Sequence, residues 1–190
     1  MLTGIYGGSF NPIHIGHTAL AEWLVQRGYV DEMWLMVSPQ NPLKPAKDLM
    51  PDALRLRLAH IACEGLPGVR VTDFEFRLPR PSYMVHTLAA LRVTYPEREF
   101  ALVIGADNWQ RFHMWYKADE ILRQHRIIIY PRPGCDIDAA TLPHGVTLAT
   151  GAPLFDISST QIRENLGRPN YDGRGLDPKI FSQIHRFTDT

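Results

Sequence analysis

The sequence predicts an α/β protein whose core is a doubly wound parallel β-sheet. Short apolar segments alternate with stretches of helical periodicity along the 190 residues, as expected for repeated βαβ units. Two of the segments, Phe100 to Ile104 and Ile127 to Tyr130, are almost continuously apolar, which is typical of strands buried on both faces. The stretches between strands are long enough for right-handed crossovers. A chain of this length also favours one domain over residues 1–190.

Each element is predicted from its periodicity and its flanking residues. Besides the two central strands, the predicted strands are Leu2 to Tyr6, Glu32 to Val37, and Val69 to Thr72. The predicted helices begin near His17, at a cap by Asp52, at Tyr83, at Ser159 and at Pro178. A proline-rich loop follows the second strand, and a turn at Gly173 and Gly175 precedes the last helix.

Composition excludes several classes of protein. The 20 Lys and Arg balance the 20 Asp and Glu, so no overall field favours nucleic acid as a partner. Cys63 and Cys135 form no CxxC pair, which favours reduced thiols in the cytoplasm. The first residues lack the pattern of a signal peptide, and no window approaches the roughly 18 to 20 apolar residues of a membrane span. We therefore expect a cytoplasmic protein with no membrane association.

The segment between the first strand and first helix carries the most chemistry. Gly7 and Gly8 allow a ligand to approach the backbone, and the N–H groups that begin the next helix attract anions. His14 and His17 flank Gly16 at a spacing that lets both imidazoles face one pocket. The alternatives are a plain turn with two surface histidines, or a zinc site whose further ligands do not stand at a recognisable spacing.

This segment, GGSFNPIHIGH, resembles the HxGH signature of the nucleotidylyltransferase superfamily, in the form found in bacterial nicotinate-nucleotide adenylyltransferases. The resemblance implies a Rossmann-like fold with strand order 3-2-1-4-5 and a C-terminal helical segment. It also implies catalytic roles for His14 and His17, the second of which assists the transition state at the α-phosphate. ATP would lie over Gly8, Ser9, Phe10 and Gly16.

A second anion site is predicted at the start of the helix led by Ser159. Ser158, Ser159 and Thr160 offer hydroxyl groups there, and Arg163 follows about one turn later. A capped helix with a surface arginine is the alternative. The segment from Ile157 to Arg163 resembles the ISSTxxR signature of the same superfamily, which implies that Ile157 and the hydroxyl residues bind ATP and that Arg163 is catalytic.

Two further positions lie at the ends of predicted elements. Gly105 and Asp107 follow a buried strand that, in the family's strand order, lies beside the first strand at the switch point. Asp107 is expected to face the ligand, to cap a helix, or to do both.

Candidates for binding the acceptor resemble the nicotinate-nucleotide branch of the superfamily. Asn41 and Lys44 stand in the loop after the second strand, where the family places a basic residue against phosphates; a solvated loop lysine is the alternative. Trp115 resembles a tryptophan that stacks on the pyridine ring, with a core tryptophan as the alternative.

A third acceptor segment, Ser82-Tyr83-Met84, resembles the family stretch SYTxDTL, whose backbone and Thr contact the nicotinate carboxylate. The match departs from the family twice, since Met84 replaces the Thr and His86 replaces the Asp.

The sequence thus predicts transfer of an adenylyl group from ATP to nicotinate mononucleotide, with Mg2+ held mainly by ATP phosphates and no evident protein ligand for a metal. Its partners would be these small molecules. The alternatives are the same chemistry on nicotinamide mononucleotide or phosphopantetheine, a nucleotide-binding regulatory module, and a nucleotide hydrolase. The oligomeric state does not follow from the sequence.

Overall fold

The computed structural model describes residues 1–39 and 49–188, and these residues form a six-stranded parallel sheet. The strands are β1 (Leu2–Gly8), β2 (Glu32–Val37), β3 (Val69–Thr72), β4 (Glu99–Gly105), β5 (Arg126–Tyr130) and β6 (Val146–Leu148). Their order in the sheet is β3-β2-β1-β4-β5-β6. The predicted α/β class and the order of the first five strands are therefore confirmed.

Seven α-helices connect and flank the strands in the described part of the chain. They are α1 (Ile15–Gln26), α2 (Asp52–Cys63), α3 (Met84–Thr94), α4 (Ala106–Gln110), α5 (Ala118–Gln124), α6 (Ser159–Leu166) and α7 (Pro178–Thr188). Short 3-10 helices occur at Phe74–Arg77, Phe112–Met114 and Ala139–Thr141. None of the described helices is long and apolar enough to cross a membrane.

Side chains of the central strands alternate between two hydrophobic clusters, one on each face of the sheet. In β4, Val103 joins the cluster that includes α1, α2, α6 and α7, whereas Leu102 and Ile104 join the cluster that includes α3 and α5. Both faces of the sheet are therefore covered, which explains why the central strands are apolar at nearly every position.

The structure corrects three details of the sequence-based prediction. Strand β1 continues to Gly8, which pairs with Val37, instead of ending at Tyr6. The N-cap of α2 is Pro51 rather than Asp52, whose carboxylate instead pairs with Arg55 and Arg80. Strand β6 was not predicted because it has only three residues, too few to show a period of two.

All six strands run in one direction, so their carboxyl ends lie at one edge of the sheet. The chain leaves β1 toward β2 on one side and reaches β4 on the other, which places a switch point between β1 and β4. Every predicted site segment in the described residues follows a strand at this edge or begins a helix near it.

Candidate active site

The loop between β1 and α1 is shaped by Gly8 and Phe10. Phe10 is buried and has a φ of +41°, a conformation that non-glycine residues rarely adopt. Its ring covers Gly8 so closely that a Cβ at Gly8 would lie 3.1 Å from the ring. The glycine at position 8 thus allows the loop to fold over the end of β1.

His14 and His17 are brought together at the start of α1. Their ring centroids are 3.6 Å apart, and the planes are tilted by 30°. The backbone N–H of His14 donates to Nδ1 of His17 at 3.1 Å. Because an accepting nitrogen carries no proton, the proton of the neutral His17 ring lies on Nε2, which makes that atom a hydrogen-bond donor.

His14 is more deeply buried, with 5% of its surface exposed. Burial, together with the positive charge of Arg132, lowers the pKa of His14 to about 4. Its Nδ1 has no hydrogen-bond partner among the described residues. Gly16 makes room for this ring, since a Cβ there would lie 3.1 Å from His14 Nδ1. His14 is therefore a neutral buried imidazole beside the loop.

The start of α1 offers fewer open N–H groups than the sequence suggested. Ile15 N–H donates to the carbonyl oxygen of Gly175 at 3.0 Å, and His17 N–H donates to the carbonyl oxygen of His14 at 2.9 Å. The glycine turn before α7 therefore contacts the loop directly. An anion at this helix would depend more on the His17 side chain than on these two backbone groups.

The second signature is tied to the first by two hydrogen bonds. Ser159 Oγ donates to the carbonyl oxygen of Pro12 at 2.9 Å, and a terminal nitrogen of Arg163 donates to the carbonyl oxygen of Asn11 at 2.7 Å. The other terminal nitrogen of Arg163 contacts Thr160 Oγ1 at 3.3 Å. Ser158 caps α6 by accepting from the N–H of Gln161. The two segments predicted to bind ATP are thus adjacent.

One cleft at this edge is lined by His14, Gly16, His17 and Ile157, together with Tyr130 at the end of β5 and Arg132 just after it. Sequence reasoning missed Tyr130 and Arg132. The signal was present, since Arg132 follows a buried strand just as Asp107 does. Arg132 brings a positive charge to a cleft in which the sequence predicted mainly histidines.

Asp107 lies near the same cleft but does not cap its helix. The N-cap of α4 is Gly105, and Asp107 stands in the first turn with its carboxylate 3.6 Å from Nε of Arg132. Tyr130 joins this group from β5, where its hydroxyl lies 3.2 Å from the hydroxyl of buried Tyr6. Burial raises the pKa of Tyr6, so this tyrosine stays protonated at neutral pH.

The acceptor segment begins α3 next to the end of β1. Tyr83 is the N-cap of α3, and a Cβ at Gly7 would lie 3.0 Å from Cε of Met84. The hydroxyl of buried Ser82 has no partner among the described residues. Strand β1 therefore has the loop predicted to bind ATP at its end and the segment predicted to bind the acceptor beside it.

An aromatic surface lies beside this segment. The ring of Tyr116, not that of Trp115, lies against Tyr83 at a centroid distance of 4.9 Å, and His86 lies 5.6 Å from Tyr116. Trp115 packs against Phe112 at 5.3 Å, as a core tryptophan would. Its buried Nε1 nevertheless lacks a partner in the described part of the chain. Asn41 and Lys44 lie outside the described residues.

The described residues contain no group of three or more His, Cys, Asp or Glu side chains placed to hold a metal ion. Asp107 is a single carboxylate that already faces Arg132. Cys63 is buried, which raises the pKa of its thiol to about 12, so it is poorly suited to bind a metal as thiolate.

The doubly wound sheet carries a glycine-containing loop, a histidine pair and an arginine-bearing helix at its switch point. This combination defines a nucleotide-binding protein of the nucleotidylyltransferase class. The sequence agrees, since it matches the family model described as Cytidylyltransferase-like over residues 5–165.

Curated relatives and solved structures narrow the class. The chain is similar to a protein of Bacteroides thetaiotaomicron named probable nicotinate-nucleotide adenylyltransferase. The two are 52% identical over 97% of this chain and 91% of the relative. The relative from Bacteroides fragilis, which has the same name, is 50% identical over 99% of this chain and 93% of the relative's length. A Plasmodium falciparum nicotinic acid mononucleotide adenylyltransferase complexed with NaAD has the same fold, with a TM-score of 0.83, 19% identity and coverage of 98% and 96% of the two chains. The chain belongs to the cytidylyltransferase-like family and, within it, to the nicotinate-nucleotide adenylyltransferases.

Proposed function

We propose that this enzyme transfers the adenylyl group of ATP to nicotinate mononucleotide, forming nicotinate adenine dinucleotide and pyrophosphate in NAD biosynthesis. The observation that carries the proposal is the junction of α6 with the histidine loop, where Arg163 and Ser159 bond to the carbonyl groups of Asn11 and Pro12. The names of the relatives at 50% identity or more support the choice of acceptor.

The reaction is a single in-line displacement. An oxygen of the acceptor 5′-phosphate forms a bond to the α-phosphorus of ATP, while the bond from that phosphorus to the oxygen of the β-phosphate breaks. Pyrophosphate leaves with the bond's electron pair. A phosphate monoester is already an adequate nucleophile, so the protein needs to align two substrates and neutralise charge rather than supply a general base.

The His17 imidazole is proposed as the donor to the α-phosphate. Its Nδ1 is engaged by His14 N–H, which directs the remaining donor, Nε2–H, away from the helix start. A donor fixed in this way stabilises charge as it develops on the phosphate oxygens without having to reorganise. His14 would donate beside it from its buried position once ATP is bound.

Arg163, Ser159 and Thr160 are proposed to hold the leaving pyrophosphate. Two of the donors of Arg163 are directed to Asn11 and Thr160, and a guanidinium has five N–H donors in all, so the group can position the loop and contact phosphate together. Arg132 is a further cation at the cleft. Asp107 is proposed to bind a ribose hydroxyl with the oxygen that does not face Arg132.

Mg2+ is proposed to enter as part of the ATP complex. Since the described residues form no three-ligand cluster, the ATP phosphates would supply most of its ligands. When bound, the ion neutralises charge on the phosphate oxygens and makes pyrophosphate a better leaving group.

The start of α3 is proposed as the site of the nicotinate carboxylate. The first N–H groups of a helix have no partner within that helix and attract negative charge. The buried hydroxyl of Ser82 adds a donor there, which makes up in part for the Thr that Met84 replaces. His86 lies in the first turn of the same helix beside Tyr83 and Tyr116, where its imidazole can offer a further hydrogen-bond donor to a carboxylate.

We further propose that the whole chain functions as one domain in the cytoplasm. Both described cysteines are free thiols, which supports a reducing compartment.

Pyrophosphate release from ATP and Mg2+ tests the reaction class. The enzyme is assayed with nicotinate mononucleotide, nicotinamide mononucleotide, phosphopantetheine or no acceptor. We expect release only with a pyridine mononucleotide, and fastest with the nicotinate form. Release of AMP without an acceptor would instead show a hydrolase, and ATP binding without any release would show a regulatory module.

A further inference from the structure

A buried polar network runs beneath the site and uses residues to which the mechanism gives no role. Arg55 in α2 has no exposed surface, and Glu75 in the 3-10 helix after β3 is 2% exposed. Charged side chains are almost never buried this completely unless they are paired or hydrogen-bonded. Both groups converge on Ser38, the first residue after β2.

Arg55 joins the loop after β1 to the loop after β2. One terminal nitrogen donates to the carbonyl oxygens of Ser9 at 2.5 Å and Ser38 at 2.8 Å. The other donates to the carbonyl oxygen of Pro39 at 3.2 Å and to the carboxylate of Asp52 at 2.6 Å. The rigid guanidinium plane therefore fixes the distance between the backbone at Ser9, which begins the ATP loop, and the backbone at Ser38.

Glu75 joins the same Ser38 to the acceptor helix. Its carboxylate accepts hydrogen bonds from the hydroxyl of Ser38 and from Thr87 Oγ1, the latter at 2.8 Å. Thr87 lies in α3 and also donates its backbone N–H to the carbonyl oxygen of Tyr83, the N-cap of that helix, at 3.1 Å. Ser38 N–H donates to the carbonyl oxygen of Gly8 at 2.9 Å, which closes the connection to β1.

We propose that Arg55, Ser38, Glu75 and Thr87 are positioning residues that hold the acceptor helix at a fixed distance from the ATP loop. The proposal rests on the proposed function, because it assumes that one substrate lies at each end of the network. None of the four side chains needs to touch a substrate. Their effect is on alignment of the acceptor phosphate with the α-phosphorus, to which rates are sensitive at the scale of 1 Å.

The test uses substitutions that each change one polar group of the network. Ser38→Ala and Thr87→Val keep the backbone and most of the side-chain volume, and Glu75→Gln keeps an oxygen that can accept from Thr87. Thr94→Val is the matched control, since Thr94 lies in the same helix but is exposed and bonds only to the carbonyl oxygen of Ala90 in the contacts described. For every variant, kcat is normalised to the fraction of enzyme that binds a non-hydrolysable ATP analogue.

We expect Ser38→Ala and Thr87→Val each to lower kcat by about tenfold or more, with the Kd of the ATP analogue changed less than about threefold. Glu75→Gln retains most of the activity, and Thr94→Val retains all of it. Because both hydroxyl groups act through Glu75, the double variant falls by less than the product of the two single effects.

Arg55→Lys tests the other half of the network, with Arg57→Lys as the control on the exposed face of α2. A lysine ammonium has three donors and no planar fork, so it cannot hold all the carbonyl groups that Arg55 holds. We expect a loss of kcat for Arg55→Lys and none for Arg57→Lys.

A kcat that is unchanged per binding-competent enzyme in Ser38→Ala and Thr87→Val, or effects that multiply in the double variant, would overturn the proposal. Wild-type enzyme that makes no dinucleotide from nicotinate mononucleotide would instead overturn the proposed function. The two failures are therefore distinguishable in one set of assays.

Discussion

At the residue scale, His14 and His17 stand in contact but have different surroundings. His17 has one nitrogen engaged by a backbone N–H, whereas His14 is buried with Nδ1 unpartnered within the described residues. The first arrangement fixes a donor, and the second keeps the ring neutral. The two histidines therefore differ in what their substitution should change.

The substitution His17→Asn distinguishes the roles of the two ring nitrogens of His17. Asparagine places an oxygen near the position of Nδ1, so it can still accept from His14 N–H, but it lacks a donor at the position of Nε2. We expect kcat to fall about 100-fold to 1000-fold, as for loss of one preorganised donor, with little change in the denaturation midpoint. His17→Gln, whose amide can reach the Nε2 position, serves as the comparison and should retain more activity. If the Asn variant keeps kcat within about tenfold of the wild type, His17 does not stabilise the transition state.

His14 makes stability depend on pH. Its pKa is about 4 in the folded protein and 6.5 in the unfolded chain, so between these values only the unfolded chain takes up the proton. The contribution of neutral His14 to stability is therefore full above pH 6.5 and is lost as the pH falls toward 4. The total change is on the order of 3 kcal/mol.

Urea denaturation from pH 4 to 7.5 of the wild type and a His14→Asn variant measures this effect. The difference between their free energies of unfolding should shrink as the pH falls, while His125, whose pKa is also lowered by burial, contributes equally to both. A difference that is independent of pH would contradict the assigned protonation state.

Sequence reasoning at this scale found the residues that carry a motif and missed those that carry a contact. His14, His17 and Arg163 stand in recognisable patterns, and the structure places them around one loop. Arg55 and Glu75 look like ordinary polar residues on helices, because their partners come from other elements of the chain. Arg55 binds the carbonyl oxygens of Ser9 and Ser38, and Glu75 accepts from the hydroxyl groups of Ser38 and Thr87. The positive φ of Phe10 was equally hidden, since nothing in the local sequence requires it.

At the scale of elements, α6 is hydrogen-bonded to the loop between β1 and α1. Ser159 and Arg163, which begin its first and second turns, donate hydrogen bonds to the carbonyl groups of Pro12 and Asn11. The helix is short, with eight residues, so these bonds contribute much of what determines its position.

Arg163→Lys should lower kcat/KM for ATP by roughly 10-fold to 100-fold. An ammonium group can replace one hydrogen bond but cannot bind Asn11, Thr160 and phosphate at once. The free energy of unfolding should fall by only about 1 to 2 kcal/mol, because Arg163 is half-buried. Steady-state kinetics and urea denaturation measure the two effects, with Arg168→Lys just beyond α6 as the control. Equal kcat/KM values for Arg163→Lys and the wild type would mean that Arg163 serves only the fold.

The elements themselves were predictable to different degrees. The strands β1 to β5 follow from short apolar runs, because the sheet is covered on both faces, and the longer helices follow from the period of their apolar residues. Strand β6 and helix α4 are too short for a period to show. The identity of the caps also escaped prediction, since Pro51 and Gly105 take those places while Asp52 and Asp107 use their carboxylates to pair with arginines.

At the scale of the whole molecule, the parallel sheet explains why residues far apart in the chain meet. Segments after β1, β2, β4 and β5 converge because all these strands end at one edge. The sequence predicts this convergence, yet it cannot predict which rings will touch. Tyr116 rather than Trp115 lies against Tyr83, and that outcome depends on how the short helices after β4 pack.

Competition between two acceptors measures which mononucleotide the enzyme adenylylates. The enzyme is given ATP, Mg2+ and equal concentrations of nicotinate mononucleotide and nicotinamide mononucleotide, and the two dinucleotide products are quantified by mass spectrometry at early times. Their ratio equals the ratio of kcat/KM values. We expect nicotinate adenine dinucleotide to predominate by about tenfold or more, since we propose that the start of α3 binds the nicotinate carboxylate. A predominance of the nicotinamide product, or the absence of both dinucleotides, would contradict this proposal.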